Sequence, residues 1–140
     1  DYLGSQASQW DTRILATDIS AQALAAARKG TYTLPDTIPL EWKRKYFTPN
    51  KDGTHTVSPA VRNNVDFRTF NLMGPIQFRR KFDMIFCRNV MIYFDQPTKD
   101  ALVRRFYDAT VPSGYFMISC SENLGASAPY RRLATAVFQK

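Results

Sequence analysis

The sequence predicts an α/β fold: an open, mainly parallel sheet with helices on both faces. Short apolar runs recur at "ILAT", "VDF", "FDMIFC" and "YFMISC". Helical stretches alternate with them, and polar residues follow several of the runs at their carboxyl ends. Strands alternating with helices imply parallel pairing, and the crossovers should be right-handed. A chain of 140 residues, 44% hydrophobic and 22% charged, is long enough to bury one core.

The first strand is expected at Ile14 to Ala16, ending in Thr17-Asp18. The alanine-rich "SAQALAAARKG" then reads as a helix. Ser20 supplies the N-cap, Arg28 and Lys29 suit the negative end of the dipole, and Gly30 suits a left-handed C′ position. From residue 31 to 62 the character changes. Pro35, Pro39, Pro49 and Pro59 fall inside this stretch, and "KYFTPNKDGTHTVSPAV" holds two extended pieces around "PNKDG". Residues 31–62 are therefore expected to form a small inserted subdomain of short antiparallel strands within a single domain spanning 1–140.

"NVDFRTFNL" restores the strand pattern, with Val65 and Phe67 on one face. In "FDMIFC" the unbroken Met84-Ile85-Phe86 core is the signature of a parallel strand covered on both faces. "QPTKDALVRRFYDAT" reads as a helix, with Pro97 in its first turn and Leu102, Phe106 and Ala109 on one side. "VPSG" is expected to turn, "YFMISC" to form another strand, and "TAVFQK" a last one.

The formal net charge is +7, with cations grouped at residues 43–45, 79–81, 104–105 and 131–132. Such groups either lie on solvated faces or attract an acidic partner, a carboxylate-rich protein surface or nucleic acid. Cys87 and Cys120 belong to no CxxC or Cys/His cluster, so free thiols in a reducing cytosol are expected. His55 stands alone, with no metal or catalytic role. No apolar run nears the roughly 20 residues that cross a bilayer. "DYLGSQASQW" has neither the basic start nor the apolar stretch of a signal peptide.

Ligands of open parallel sheets bind beyond the carboxyl ends of the strands. Polar breaks fall there: Asp18 after "ILAT", Asn71 after "VDFRTF", and Arg88-Asn89 after "MIFC". An acid just past a strand can accept hydrogen bonds from both ribose hydroxyls, a need Asp18 fits. Each residue also has a plainer reading: Asp18 as a helix cap, Asn71 in an Asx turn, Arg88 as a surface cation, Asn89 as a cap. No glycine-rich strand-to-helix turn precedes Asp18.

"ILATDIS", "AL..AR.G.Y", "V.F…NL", "FDMIFCRNVMIYFD", "RF", "P.GY" and "SEN" together resemble the catalytic domain of the chemotaxis receptor methyltransferases, the CheR family. The resemblance runs from about Arg13 to Lys140, and "FCRNVMIYF" is its most specific part. It implies a Rossmann-like methyltransferase fold using S-adenosylmethionine, and an enzyme that esterifies glutamate side chains on chemoreceptors. By that resemblance Asp18 binds the adenosine ribose, and Asn71 and Leu72 line the adenine pocket. Arg88 and Asn89 hold the cofactor near its reactive end, and Tyr93 lies close to the methyl path.

Residues 31–62 resemble the family's β-subdomain, which in some members docks a receptor tail. The implied partners are acidic cytoplasmic receptor helices, with no nucleic acid and no membrane insertion, in the cytoplasm. Alternatives are a non-catalytic receptor-binding or scaffolding module of the same fold, or a nucleic-acid methyltransferase, whose DPPY or NPPY signature is absent.

Three features depart from the family. Its "STGEEPYS"-like motif and its N-terminal helical domain have no counterpart here, and Cys120 stands where "HSE" commonly has histidine. The stretch therefore reads as the later part of a larger protein. The absent strand of the family sheet lies between those bearing Asp18 and Arg88, so something else is expected to satisfy both of its neighbours.

Overall fold

The computed structural model describes residues 3–140. It divides into two compact units, one reaching Asn71 and the other Leu72–Lys140.

In the first unit, a 3-10 turn at Gly4–Gln9 precedes β1, Ile14–Asp18. Helix α1, Ala21–Lys29, begins where the sequence places it: the Ser20 hydroxyl accepts the Ala23 N–H at 3.2 Å. It ends at Gly30, whose φ of 63° is the left-handed geometry that glycine adopts without a Cβ clash. Strand β2 is Thr31–Tyr32, helix α2 is Leu40–Tyr46, and β3 and β4 are Phe47–Pro49 and His55–Val57. Helix α3, Pro59–Arg62, leads to β5, Val65–Thr69.

β1 and β5 pair in parallel, Ile14 opposite Val65 and Asp18 opposite Thr69. β2, β4 and β3 form a separate antiparallel sheet in that order. The "PNKDG" hairpin is closed by side chains: Asn50 Nδ2 donates to Thr54 Oγ1 at 2.9 Å and Thr56 Oγ1 at 3.0 Å, and Thr54 N–H donates to Asp52 at 3.0 Å. Arg28 and Arg62 tie α1 to its neighbours, donating to the carbonyls of Phe67 and Arg28 at 2.7 Å each.

The second unit contains β6, Phe82–Phe86; helix α4, Gln96–Ala109; β7, Thr110–Met117; β8, Arg131–Ala134; and β9, Val137–Gln139. The strand order is β6-β7-β9-β8, parallel between β6 and β7 and antiparallel elsewhere. Asp95 caps α4 through the Thr98 N–H at 3.0 Å, with Pro97 in the first turn. Leu102, Val103 and Phe106 of α4 pack with Phe116, Ile118, Tyr130 and Phe138 into the core. The Phe106 and Phe116 rings lie 5.3 Å apart, and the Phe116 and Tyr130 rings stack at 5.1 Å.

The structure corrects several expectations. One mainly parallel sheet was expected, and the described residues form three small sheets. Among the described residues β1 pairs only with β5 and β6 only with β7, so no ladder joins the two parallel pairs. β6 is not covered on both faces either. Ile85 and Cys87 point to the core, while Met84 and Phe86 are 43% and 63% exposed. The "VPSG" turn is a kink inside β7, where Ser113 takes φ 64° and the register slips between Phe82 and Met84. Within 31–62, "LEWKRKY" is helical, its cations in the last turn where the dipole favours them.

Candidate functional site

The parallel pair of the first unit carries Asp18 and Asn71 to one rim. Asp18 is the last residue of β1, and its backbone carbonyl accepts the Phe70 N–H at 3.1 Å, so Asn71 follows directly beside it. Both side chains are exposed. Asp18 Oδ1 accepts the Ser20 N–H at 2.8 Å, which turns the chain into α1 and fixes the carboxylate. The plainer role read for Asp18 is thus real in part, although Ser20 is the cap. The second carboxylate oxygen has no partner among the described residues.

In the second unit, Arg88 and Asn89 follow the carboxyl end of β6, and both are exposed. Leu72 is half-buried and packs on the core. The Cys87 N–H still bonds the Met117 carbonyl at 2.9 Å, the last rung of the β6–β7 ladder. Asn89 then adopts φ 58°, a left-handed conformation that asparagine tolerates better than most residues. A 3-10 turn at Met91–Tyr93 follows, with Met91 buried and Tyr93 80% exposed. The Arg88 guanidinium and the Tyr93 hydroxyl have no hydrogen-bond or ionic partner among the described residues.

Glu122 was not singled out from the sequence as a site residue. Its Oε2 accepts the N–H groups of Asn89 at 3.1 Å and Ser119 at 2.8 Å, and its Oε1 accepts that of Met91 at 3.0 Å. These donors lie up to 33 residues away, so no local pattern announces them. The sequence signals are two: Glu122 lies in the "SEN" stretch of the resemblance, and the chain has only Glu41 and Glu122 as glutamates.

Burial, and then the charge of Glu122, push the Cys87 thiol up to about 12, so it stays protonated and inert. Cys120 is exposed, and both cysteines are free. No group of three or more His, Cys, Asp or Glu that could hold a metal occurs among the described residues. A hollow lined by Ile76, Phe78, Arg80, Lys81 and Arg105 lies toward the amino end of β6, the end opposite Arg88. Among the described residues, no helix is long and apolar enough to cross a membrane.

Exposed acid, amide and guanidinium groups just past parallel strands are the arrangement of α/β domains that bind nucleoside-containing cofactors. The family model "CheR methyltransferase, SAM binding domain" matches residues 2–137, and the chain belongs to that family. It is 34% identical to the chemotaxis protein methyltransferase of Borreliella burgdorferi, over all of this chain and 50% of that protein. It is 36% identical to the one from Escherichia coli, over 88% of this chain and 44% of that protein. Chemotaxis protein methyltransferase 1 of Pseudomonas aeruginosa is 38% identical over 80% of this chain and 42% of its own length. The chain thus spans about half the length, or less, of these relatives.

The family's cofactor is S-adenosylmethionine. Each unit offers groups of suitable chemistry: the first a carboxylate oxygen of Asp18 without a partner among the described residues, the second the Arg88 guanidinium.

Proposed function

We propose that this chain is part of a protein-glutamate O-methyltransferase that forms methyl esters on chemoreceptors in the cytoplasm. The observation that carries the reading is the family match over residues 2–137, in a chain whose polar residues follow its parallel strands. Asp18 binds the ribose, Asn71 and Leu72 line the adenine pocket, and Arg88 and Asn89 hold the methionyl end. S-adenosylmethionine supplies a methyl group on a sulfonium.

The acceptor glutamate is already ionised near neutral pH, so the chain needs no strong base. Its residues contribute alignment and exclusion of water, worth roughly 7–11 kcal/mol in favourable cases. Tyr93 positions the substrate or offers its ring face to the cation. The net charge of +7 favours acidic receptor helices as partner. The antiparallel strands within 31–62 act as an inserted subdomain that docks a receptor tail. The test is methyl-ester formation on receptor cytoplasmic fragments by the full-length protein. Ester formed with wild type and reduced with Tyr93→Phe supports the assignment, and a wild type forming none refutes it.

A further inference from the structure

Glu122 sits where the β6–β7 ladder ends. Beyond the rung between Cys87 and Met117 the two strands part: the Ile118 N–H turns to the Ala136 carbonyl at 3.1 Å, and the donors that would have continued the ladder need another acceptor. One carboxylate collects donors from both sides instead: Asn89 and Met91 from the turn after β6, and Ser119 from the segment after β7. The Glu122 N–H returns to the Ser119 carbonyl at 3.0 Å, so the 119–122 turn closes on itself and fixes the acid. A solvated surface acid would not hold three backbone donors while half-buried.

The turn so held is the one bearing Arg88, Asn89 and Tyr93. Asn89 is left-handed, and its N–H is anchored on Glu122. Met91 opens the short helical turn carrying Tyr93, and its N–H is anchored on the same carboxylate. The side chains of Arg88 and Tyr93 meanwhile have no partner of their own among the described residues. Their placement is therefore set by the backbone beneath them, and Glu122 sets that backbone.

We propose that Glu122 is a positioning residue for cofactor binding, a clamp that presents Arg88 and Asn89 to S-adenosylmethionine without touching it. This rests on the cofactor reading above. Glu122→Gln keeps the side chain's size but turns one acceptor oxygen into a donor facing a backbone N–H.

The test uses the full-length protein, wild type and Glu122→Gln. Amide hydrogen exchange is followed at Asn89, Met91 and Ser119, with Ala23 and Thr98, capped by other side chains, as controls for retained fold. S-adenosylmethionine affinity is measured on the same samples by calorimetry. The expected result is exchange about tenfold faster at one or more clamp amides, control amides unchanged, and affinity down about tenfold. Unchanged clamp amides overturn the proposal, as does wild-type affinity in a variant whose clamp amides are released. A wild type that binds no S-adenosylmethionine refutes the cofactor reading itself and takes the clamp's purpose with it. Binding by the wild type, matched by the variant, refutes the clamp alone. Should the glutamine variant lose its control amides, Glu122→Asp, which keeps the carboxylate but shortens its reach, takes its place: released clamp amides with lowered affinity support the clamp, and unchanged clamp amides or wild-type affinity contradict it.

Discussion

The hydroxyls of Thr110 and Tyr130 lie 3.0 Å apart in the core of the second unit. Thr110 also bonds the Phe106 carbonyl at 2.7 Å, and a carbonyl can only accept. The single threonine proton is spent there, so Tyr130 is the donor of the pair. Tyr130→Phe leaves the Thr110 oxygen without its donor and should destabilise by about 1 kcal/mol. Thr110→Val strands the buried tyrosine proton as well and should cost about 1–3 kcal/mol. Chemical denaturation of the two variants ranks them; equal stability with wild type would remove the pair from the account.

Alkaline pH should weaken the fold. Burial pushes Tyr130 from its ordinary 10.0 up to about 12, and burial with the nearby Glu122 charge pushes Cys87 from 9.0 up to about 12. Both groups keep their protons in the folded state after the unfolded chain has lost them. Their contribution is whole below pH 9 and declines as pH rises toward 12. Denaturation midpoints measured from pH 8 to 11 should fall, and Tyr130→Phe with Cys87→Ala should flatten the decline. The same burial predicts that iodoacetamide at pH 8 modifies exposed Cys120 and spares Cys87 in the native protein. Equal labelling of the two contradicts it.

Gly114 stands in β7 against its own neighbours. A Cβ there would lie 2.6 Å from Thr110 Cγ2 and 3.0 Å from the backbone oxygens of Asp83 and Val111. The backbone oxygens belong to the sheet and cannot swing aside. Gly114→Ala should therefore cost about 1–3 kcal/mol, read as a lowered melting temperature. An unchanged melting temperature would mean that β7 opens to admit the methyl.

Helix α1 offers a milder test. Ser20→Ala removes the acceptor of the Ala23 N–H and should cost about 1 kcal/mol, whereas Ser20→Gly should cost only a few tenths. Circular dichroism melting distinguishes them.

What was legible in the sequence was local. Ser20 and Gly30 announce the ends of α1 because a cap acts within a turn, and Pro97 marks the first turn of α4 in the same way. The strand cores at Ile14, Val65 and Ile85 were equally readable. Pairing was not, because hydrogen-bond ladders join residues far apart: β6 takes β7 as its partner, and its outer face leaves Met84 and Phe86 open. An apolar run records that a strand is apolar, not how many layers cover it. Helix α2 was not expected because the prolines of 31–62 pointed to short extended pieces, although Pro39 is the residue just ahead of its first helical position. Of the site, the polar strand ends were visible and the role of Glu122 was not, two of its three partners lying 31 and 33 residues upstream.

The most direct measurement is a calorimetric titration of S-adenosylmethionine into the full-length protein, beside Asp18→Asn and Arg88→Ala. Asparagine keeps the oxygen that receives the Ser20 N–H, and Arg88 has no protein partner to lose among the described residues, so neither change should disturb folding. Saturable binding by wild type, weakened about tenfold or more in each variant, is the predicted result. Wild-type affinity retained in both would contradict the assignment of these strand ends to the cofactor.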